Sequence, residues 1–255
     1  MQHRILTILV LISLGLSGYA LLKHYRKNPE EIARLALEGM QRIQSREAKE
    51  EREKQTEAIK EKMADVHNVK DVPFAGNPEG DIVIVYFFDY RCGYCRRADS
   101  IVDELVKNDP KLKVIYKEFP IFDSSLGAEA ALAAYKQGKY IPMHQAIMAH
   151  KEPLTKESVR AIAKKVGLCM GAFEKEMTEA WIKNAIQENL TLAETLGISG
   201  VPTFIVGTET VLPGVVSVDE FHLAIQKERE KLAGSTPDQK GLPQSDSEKS
   251  EQKNS

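Results

Sequence analysis

"FFDYRCGYCRRA", residues 87–98, sets two of the chain's three cysteines, Cys92 and Cys95, two residues apart. The apolar run Ile82–Phe88 leads into it and reads as a strand buried on both faces. Directly after Cys92 the composition turns helical and stays so through Lys107. A structural zinc site takes four ligands, normally two such pairs or one pair with two histidines. Cys169 stands alone, and His144 and His150, six residues apart, do not share a helix face. A disulfide across two residues closes a loop too small to constrain the unfolded chain much. Redox exchange has a direct physical cause. Unsatisfied N–H groups and the positive end of the helix dipole favour a thiolate at Cys92. Arg91, Arg96 and Arg97 push the same way. Cys95, one turn on, can reach back, so Cys92 is expected to exchange with a partner sulfur and Cys95 to resolve the mixed disulfide. The intervening pair, Gly93 and Tyr94, brings no charge.

Working outward, Asn77-Pro78-Glu79-Gly80 reads as the turn before the first strand. A second strand is expected at Leu112–Lys117, followed by "EFPIF". Helices are expected over 124–138, 141–150, 156–166 and 170 to about 196. The segments 201–207 and 210–214 read as a strand pair, and a last helix runs over 218–232 with Ser217 as its cap. The order βα, β, helical insert, ββα predicts an α/β fold with one sheet covered on both faces. The folded domain is placed at 68–233, with the insert at about 123–196.

The 255 residues are 42% hydrophobic and 28% charged with net charge −2, enough for one well-buried domain and no argument for nucleic acid. Residues 1–27 read as a signal peptide or membrane anchor: Arg4 precedes an apolar stretch, 5–22, that as a helix would reach roughly 27 Å. Cleavage after Gly18-Tyr19-Ala20 and an uncleaved anchor are both open. Lys23, Arg26 and Lys27 outnumber the charges before the stretch, which argues against export of an anchored form. Export is favoured because a disulfide-forming pair is useful outside the cytosol. From Pro29 to His67 the composition is helical, with Ile32, Leu35, Ala36, Met40 and Ile43 on one stripe and an almost wholly charged stretch from Ser45 to Glu57. That helix is either a solvated spacer or, as the unpartnered stripe favours, a self-association segment, 28–67. Residues 234–255 are polar without periodicity and are expected to be disordered.

With "FFDYRCGYC" after one strand, "YKEFPIF" after the next and "GISGVPTF" opening the third, the chain resembles the DsbA-like thiol:disulfide oxidoreductases of the thioredoxin superfamily over about 70–232. The resemblance implies a thioredoxin fold with an inserted helical domain, preceded here by the signal or anchor and the long helical segment. It further implies a cis Val201-Pro202 bond beside the sulfurs, with Val201, Pro202 and Thr203 binding an extended substrate strand. Relatives often carry a buried acid six residues before the first cysteine; this chain has Tyr86, which leaves Glu118 and Asp89 as candidate proton carriers. Cys169 is expected to be a small buried residue. The implied activity is introduction or isomerisation of disulfides in exported proteins, with the Cys92–Cys95 disulfide itself as redox group and no metal or other cofactor. A reductase feeding a dedicated partner and a non-catalytic module on the same fold are the alternatives. Expected partners are unfolded or misfolded exported proteins, a membrane redox partner (DsbB- or DsbD-like) and a second copy of the chain. The expected location is the bacterial periplasm or cell envelope, with residues 5–22 as an inner-membrane anchor if uncleaved.

Overall fold

The computed structural model describes Tyr19 and residues 29–67, 72–122 and 125–234, with only the backbone of 63–67. The rest of the signal or anchor segment and the tail from 235 lie outside the described residues. Among those described, no helix is long and apolar enough to cross a membrane. The chain divides into two compact units, Met1–Gln55 and Thr56–Ser255.

In the first unit the described residues begin helix α1 (Pro29–His67). Pro29 needs no N–H partner at a helix start, and Glu30 and Glu31 sit where the dipole favours anions. Its surface carries i,i+4 pairs, Arg34–Glu38, Arg46–Glu50 and Lys49–Glu53. Leu35, Leu37, Met40 and Ile43 are each more than half exposed.

The second unit is a five-stranded mixed sheet in the order β1-β3-β2-β4-β5. The strands are β1 (Phe74–Gly76), β2 (Ile82–Phe88), β3 (Leu112–Glu118), β4 (Thr203–Val206) and β5 (Thr210–Pro213). β2 and β3 run parallel, joined by α2 (Gly93–Asn108); every other pairing is antiparallel. Alternation along β2 sorts its side chains between two cores. Ile82, Ile84, Tyr86 and Phe88 face the larger one, shared with Ala98, Val102 and Leu105 of α2, with the insert, and with Phe221 and Ile225 of α8 (Val218–Gly234). Val85 and Phe87 face a smaller core with Ile115, Phe119 and Ile205.

The insert comprises α3 (Leu126–Tyr135), α4 (Tyr140–Met148), α5 (Lys156–Val166), α6 (Met170–Glu176) and α7 (Ala180–Thr195). Alanines 128, 130, 131, 133 and 134 let α3 approach closely. At Gly127 an added Cβ would lie 2.7 Å from the Tyr90 ring. The single helix expected from 170 to about 196 is two, broken at Met177-Thr178-Glu179. The Thr178 hydroxyl donates to the Lys175 carbonyl, and the Trp181 indole donates to Glu176 across the break. β1, three residues long, was not foreseen; it is too short to show a period.

The second unit reaches back to Thr56, ahead of the domain placed at 68–233, because Ile59 of α1 is buried to 1% exposure against Val85, Phe87, Ala193, Leu196 and Ile205. One expectation changes. Cys169 is exposed, not buried. Gly167, at φ 79°, ends α5 in the left-handed region and turns Leu168 inward, so Cys169 faces out as the N-cap position of α6.

Candidate active site

β2 runs straight into the site. After Phe88 the chain leaves the sheet at Asp89, and Cys92 donates its N–H to the Asp89 carbonyl at 3.0 Å. That turn sets Cys92 as the N-cap of α2 in extended conformation, where its Sγ accepts the Cys95 N–H at 3.4 Å. A serine or aspartate oxygen normally fills this role; here a sulfur does, so a backbone dipole points at the atom that would carry negative charge. The Cys92 thiol also lies 3.6 Å from the carbonyl oxygen of Val201. Val201-Pro202 is cis, and Pro202 precedes β4 without an N–H to pair, its carbonyl accepting from Gly214. Thr203 begins β4 and donates its hydroxyl to Gly200. Both cysteines are free thiols in this structure.

The two sulfurs differ in setting. Cys92, at 5% exposure, sits at the start of the helix, and Cys95, at 0%, lies deeper in the same large core. Burial pushes the Cys95 thiol far above its ordinary value, with the Asp89 backbone partly opposing the shift. Gly93 is open above the helix start, and Tyr94 is 62% exposed with the Arg97 guanidinium 4.5 Å over its ring.

Tyr86, at the position where relatives often carry an acid, donates its hydroxyl to the Cys95 carbonyl at 3.1 Å and stacks on Phe204. It holds the helix start rather than a charge; burial raises its phenol well above the usual value. Asp89 is 2% exposed, and its carboxylate accepts three backbone N–H groups, from Arg91 at 2.7 Å, Ile121 at 2.8 Å and Phe122 at 3.0 Å. It pins the 120–122 loop to the active-site turn. Glu118 is buried at the end of β3, accepting from the Tyr140 hydroxyl at 2.5 Å, with the Asn189 amide donating to its carbonyl at 3.2 Å. Burial pushes its carboxyl up to about 7, against the opposing pull of Tyr140, His144 and Lys117.

One constellation was not anticipated. Asp99, one helical turn beyond Cys95, is buried and lies 2.7 Å from Nε2 of His144 on α4; Nδ1 of the same ring is 2.9 Å from the Tyr90 hydroxyl. With Nε2–H donating to Asp99, Nδ1 accepts from Tyr90, and every polar atom of the ring is satisfied. Tyr140 stacks on His144 at 5.7 Å. The chain thus ties the active-site turn, α2 and the insert together. A signal existed: Asp99 lies on the apolar stripe Cys95, Ala98, Val102, Leu105, where an acid must find a partner.

A protein-family model described as thioredoxin matches residues 68–227. The crystal structure of a thioredoxin-like oxidoreductase from Silicibacter pomeroyi superposes with a TM-score of 0.63 at 37% identity, covering 66% of this chain and 97% of that one. The thiol-disulfide exchange protein alpha-DsbA2 from Wolbachia pipientis gives a TM-score of 0.64 at 26% identity, covering 68% and 95%. Among curated relatives, a Na(+)/H(+) antiporter NhaA 3 from Salinispora tropica is 27% identical over 135 residues, 51% of this chain but 21% of that protein, so the chain spans about a fifth of its length.

Proposed function

Since the chain belongs to the thioredoxin family, in the branch whose structures resemble DsbA-like oxidoreductases, we propose that it exchanges disulfides with exported proteins through Cys92 and Cys95, introducing or isomerising their bonds. The observation that carries this reading is the placement of Cys92 Sγ, which accepts the Cys95 N–H and faces the Val201 carbonyl. In the oxidising direction a client thiolate attacks Cys92 of the Cys92–Cys95 disulfide, and Cys95 leaves with the electron pair and takes a proton. A second client thiolate then attacks the client sulfur of the mixed disulfide. The client gains a disulfide, and both electrons stay on the Cys92–Cys95 pair. Burial holds Cys95 as a thiol once it is reduced, and an N-cap sulfur is a good leaving group in the final step. The backbone beside Val201 offers a client strand a place to pair without sequence choice.

The same reading places the protein outside the cytosol, where such bonds persist, with a membrane redox partner to reset the pair and a second copy joined through residues 28–67. The four exposed apolar side chains of α1 support that last element. The test is a pair of variants. Cys92→Ser abolishes insulin reduction, while Cys95→Ser accumulates mixed disulfides with clients, seen on non-reducing gels. Retention of activity by both single variants sinks the assignment. Equilibration of the pair with glutathione sets direction: a strongly oxidising potential means donation of disulfides, a thioredoxin-like one means reduction.

A further inference from the structure

Beside the active-site turn lies a cleft of about 430 Å³ whose lining includes Tyr90, Arg91, Arg96, Lys151, Glu152 and Leu154. Arg91 immediately precedes Cys92, and Arg96, one helical turn on, donates its backbone N–H to the Cys92 carbonyl, so two of the residues lining the cleft flank the reacting cysteine in the chain. Its charge is lopsided, three cations against Glu152, whose exposed carboxylate stands 3.7 Å from His150. The Arg96 guanidinium is held by two neutral acceptors, the carbonyls of His150 at 2.5 Å and Tyr90 at 3.2 Å. Those bonds fix its plane, leave its charge uncompensated and occupy two of its five N–H groups. Among the described residues no carboxylate lies within ion-pair distance of Arg96 or Lys151. Such a pre-oriented guanidinium with spare donors and an adjacent ammonium is a receptor for a carboxylate.

We propose that this cleft binds acidic side chains of the client polypeptide close in sequence to its reacting cysteine, so that the protein selects clients by charge. The proposal rests on Cys92 as the exchanging sulfur. Arg91 and Arg96 stand one residue before and four after Cys92, and an extended client strand rises about 3.3 Å per residue, so side chains a few residues from its reacting cysteine come within reach of the cleft.

The test uses the reduced full chain carrying Cys169→Ser, which removes the exposed third thiol, and peptides identical but for Glu, Gln or Lys at the positions within three residues of one cysteine. That cysteine is activated as an uncharged thiopyridyl disulfide, so Cys92 attack releases thiopyridone and is followed by absorbance. The Glu peptide is expected to react about tenfold faster than the Lys peptide at low salt, with the ratio falling toward one in about 1 M salt. Lys151→Glu should bring that ratio to one or invert it, and Arg96→Gln should reduce it. The Lys151 variant should react with uncharged dithiodipyridine at the wild-type rate. Equal rates for all three peptides with the wild type overturn the proposal and leave the exchange chemistry standing. A wild-type preference that survives in both variants also overturns it, because the selecting charge then lies elsewhere. If dithiodipyridine itself fails to react, Cys92 is not the exchanging sulfur and both readings fall together.

Discussion

Glu118 illustrates how one side chain records its surroundings. Its carboxyl is wholly enclosed, and burial, the largest influence, raises it from an ordinary 4.5 to about 7. The folded chain therefore holds this proton more tightly than the unfolded chain does. The resulting stabilisation is complete below about pH 4.5 and is lost as pH rises through about 7, a loss of about 3 kcal/mol for this group. Glu118→Gln keeps an acceptor for Tyr140 and removes the charge, so urea unfolding of the variant should lack that decrement between pH 5 and 8. Identical pH dependence in wild type and variant would contradict the account. At this scale the sequence made legible what local pattern controls. The place of Cys92 at a helix start follows from a strand ending at a Cys-x-x-Cys, and Val201-Pro202 beside it follows from the resemblance. Asp89 and Glu118 were picked out as acids near the site, but their partners were not legible. The three backbone N–H groups around Asp89 come from a turn and a loop 30 residues apart or more. Tyr90, Asp99 and His144 meet only because the insert packs α4 over α2, a contact no local period encodes.

At the scale of elements, Ile59 shows how the end of a helix read as a self-association segment can pack within its own chain. It follows the charged stretch from Ser45 to Glu57, and one apolar residue after such a run carries no periodic signal. Yet the odd-numbered face of β2 presents Val85 and Phe87, and the end of α7 presents Ala193 and Leu196, which between them leave a site for one more aliphatic side chain. Lys60 follows Ile59 and pairs with Glu209 in the β4–β5 turn at 3.2 Å, but both partners are substantially exposed. Such a pair contributes less than about 1 kcal/mol. Truncating the fully buried Ile59 to alanine costs about 2–4 kcal/mol. Ile59→Ala should therefore lower the urea midpoint clearly, whereas Lys60→Ala should scarcely move it; equal effects would mean that charge, not burial, seats this end of α1. The strands of the sheet centre and the long amphipathic helices were readable because each repeats its period over several residues. β1 and the break between α6 and α7 were not, the first for its length and the second because side-chain bonds, with no glycine or proline, make it.

For the whole molecule, the contrast within α1 determines how self-association should be tested. Residues up to Gln55 belong to one compact unit and those from Thr56 to the other, so a cut at His67 removes Ile59 from a core it helps to fill. Loss of function in such a truncation would report unfolding as readily as loss of a partner. Deletion of 28–55 avoids this: it removes Leu35, Leu37, Met40 and Ile43, each 55–59% exposed, and keeps the buried isoleucine. Each such side chain contributes about 1.5–3 kcal/mol when fully buried, enough, across several copies of the stripe, to hold chains together through paired helices. The protein lacking 28–55 should sediment as a monomer, unfold at the wild-type urea concentration and react with dithiodipyridine at the wild-type rate. It should be slower at reshuffling scrambled ribonuclease, a task that benefits from active sites facing one client. Leu35→Glu with Met40→Glu should give the same pattern in the full-length chain. A wild-type protein that sediments as a monomer at micromolar concentration removes the basis for the assembly, and the exposed stripe of α1 then has to be explained as a spacer.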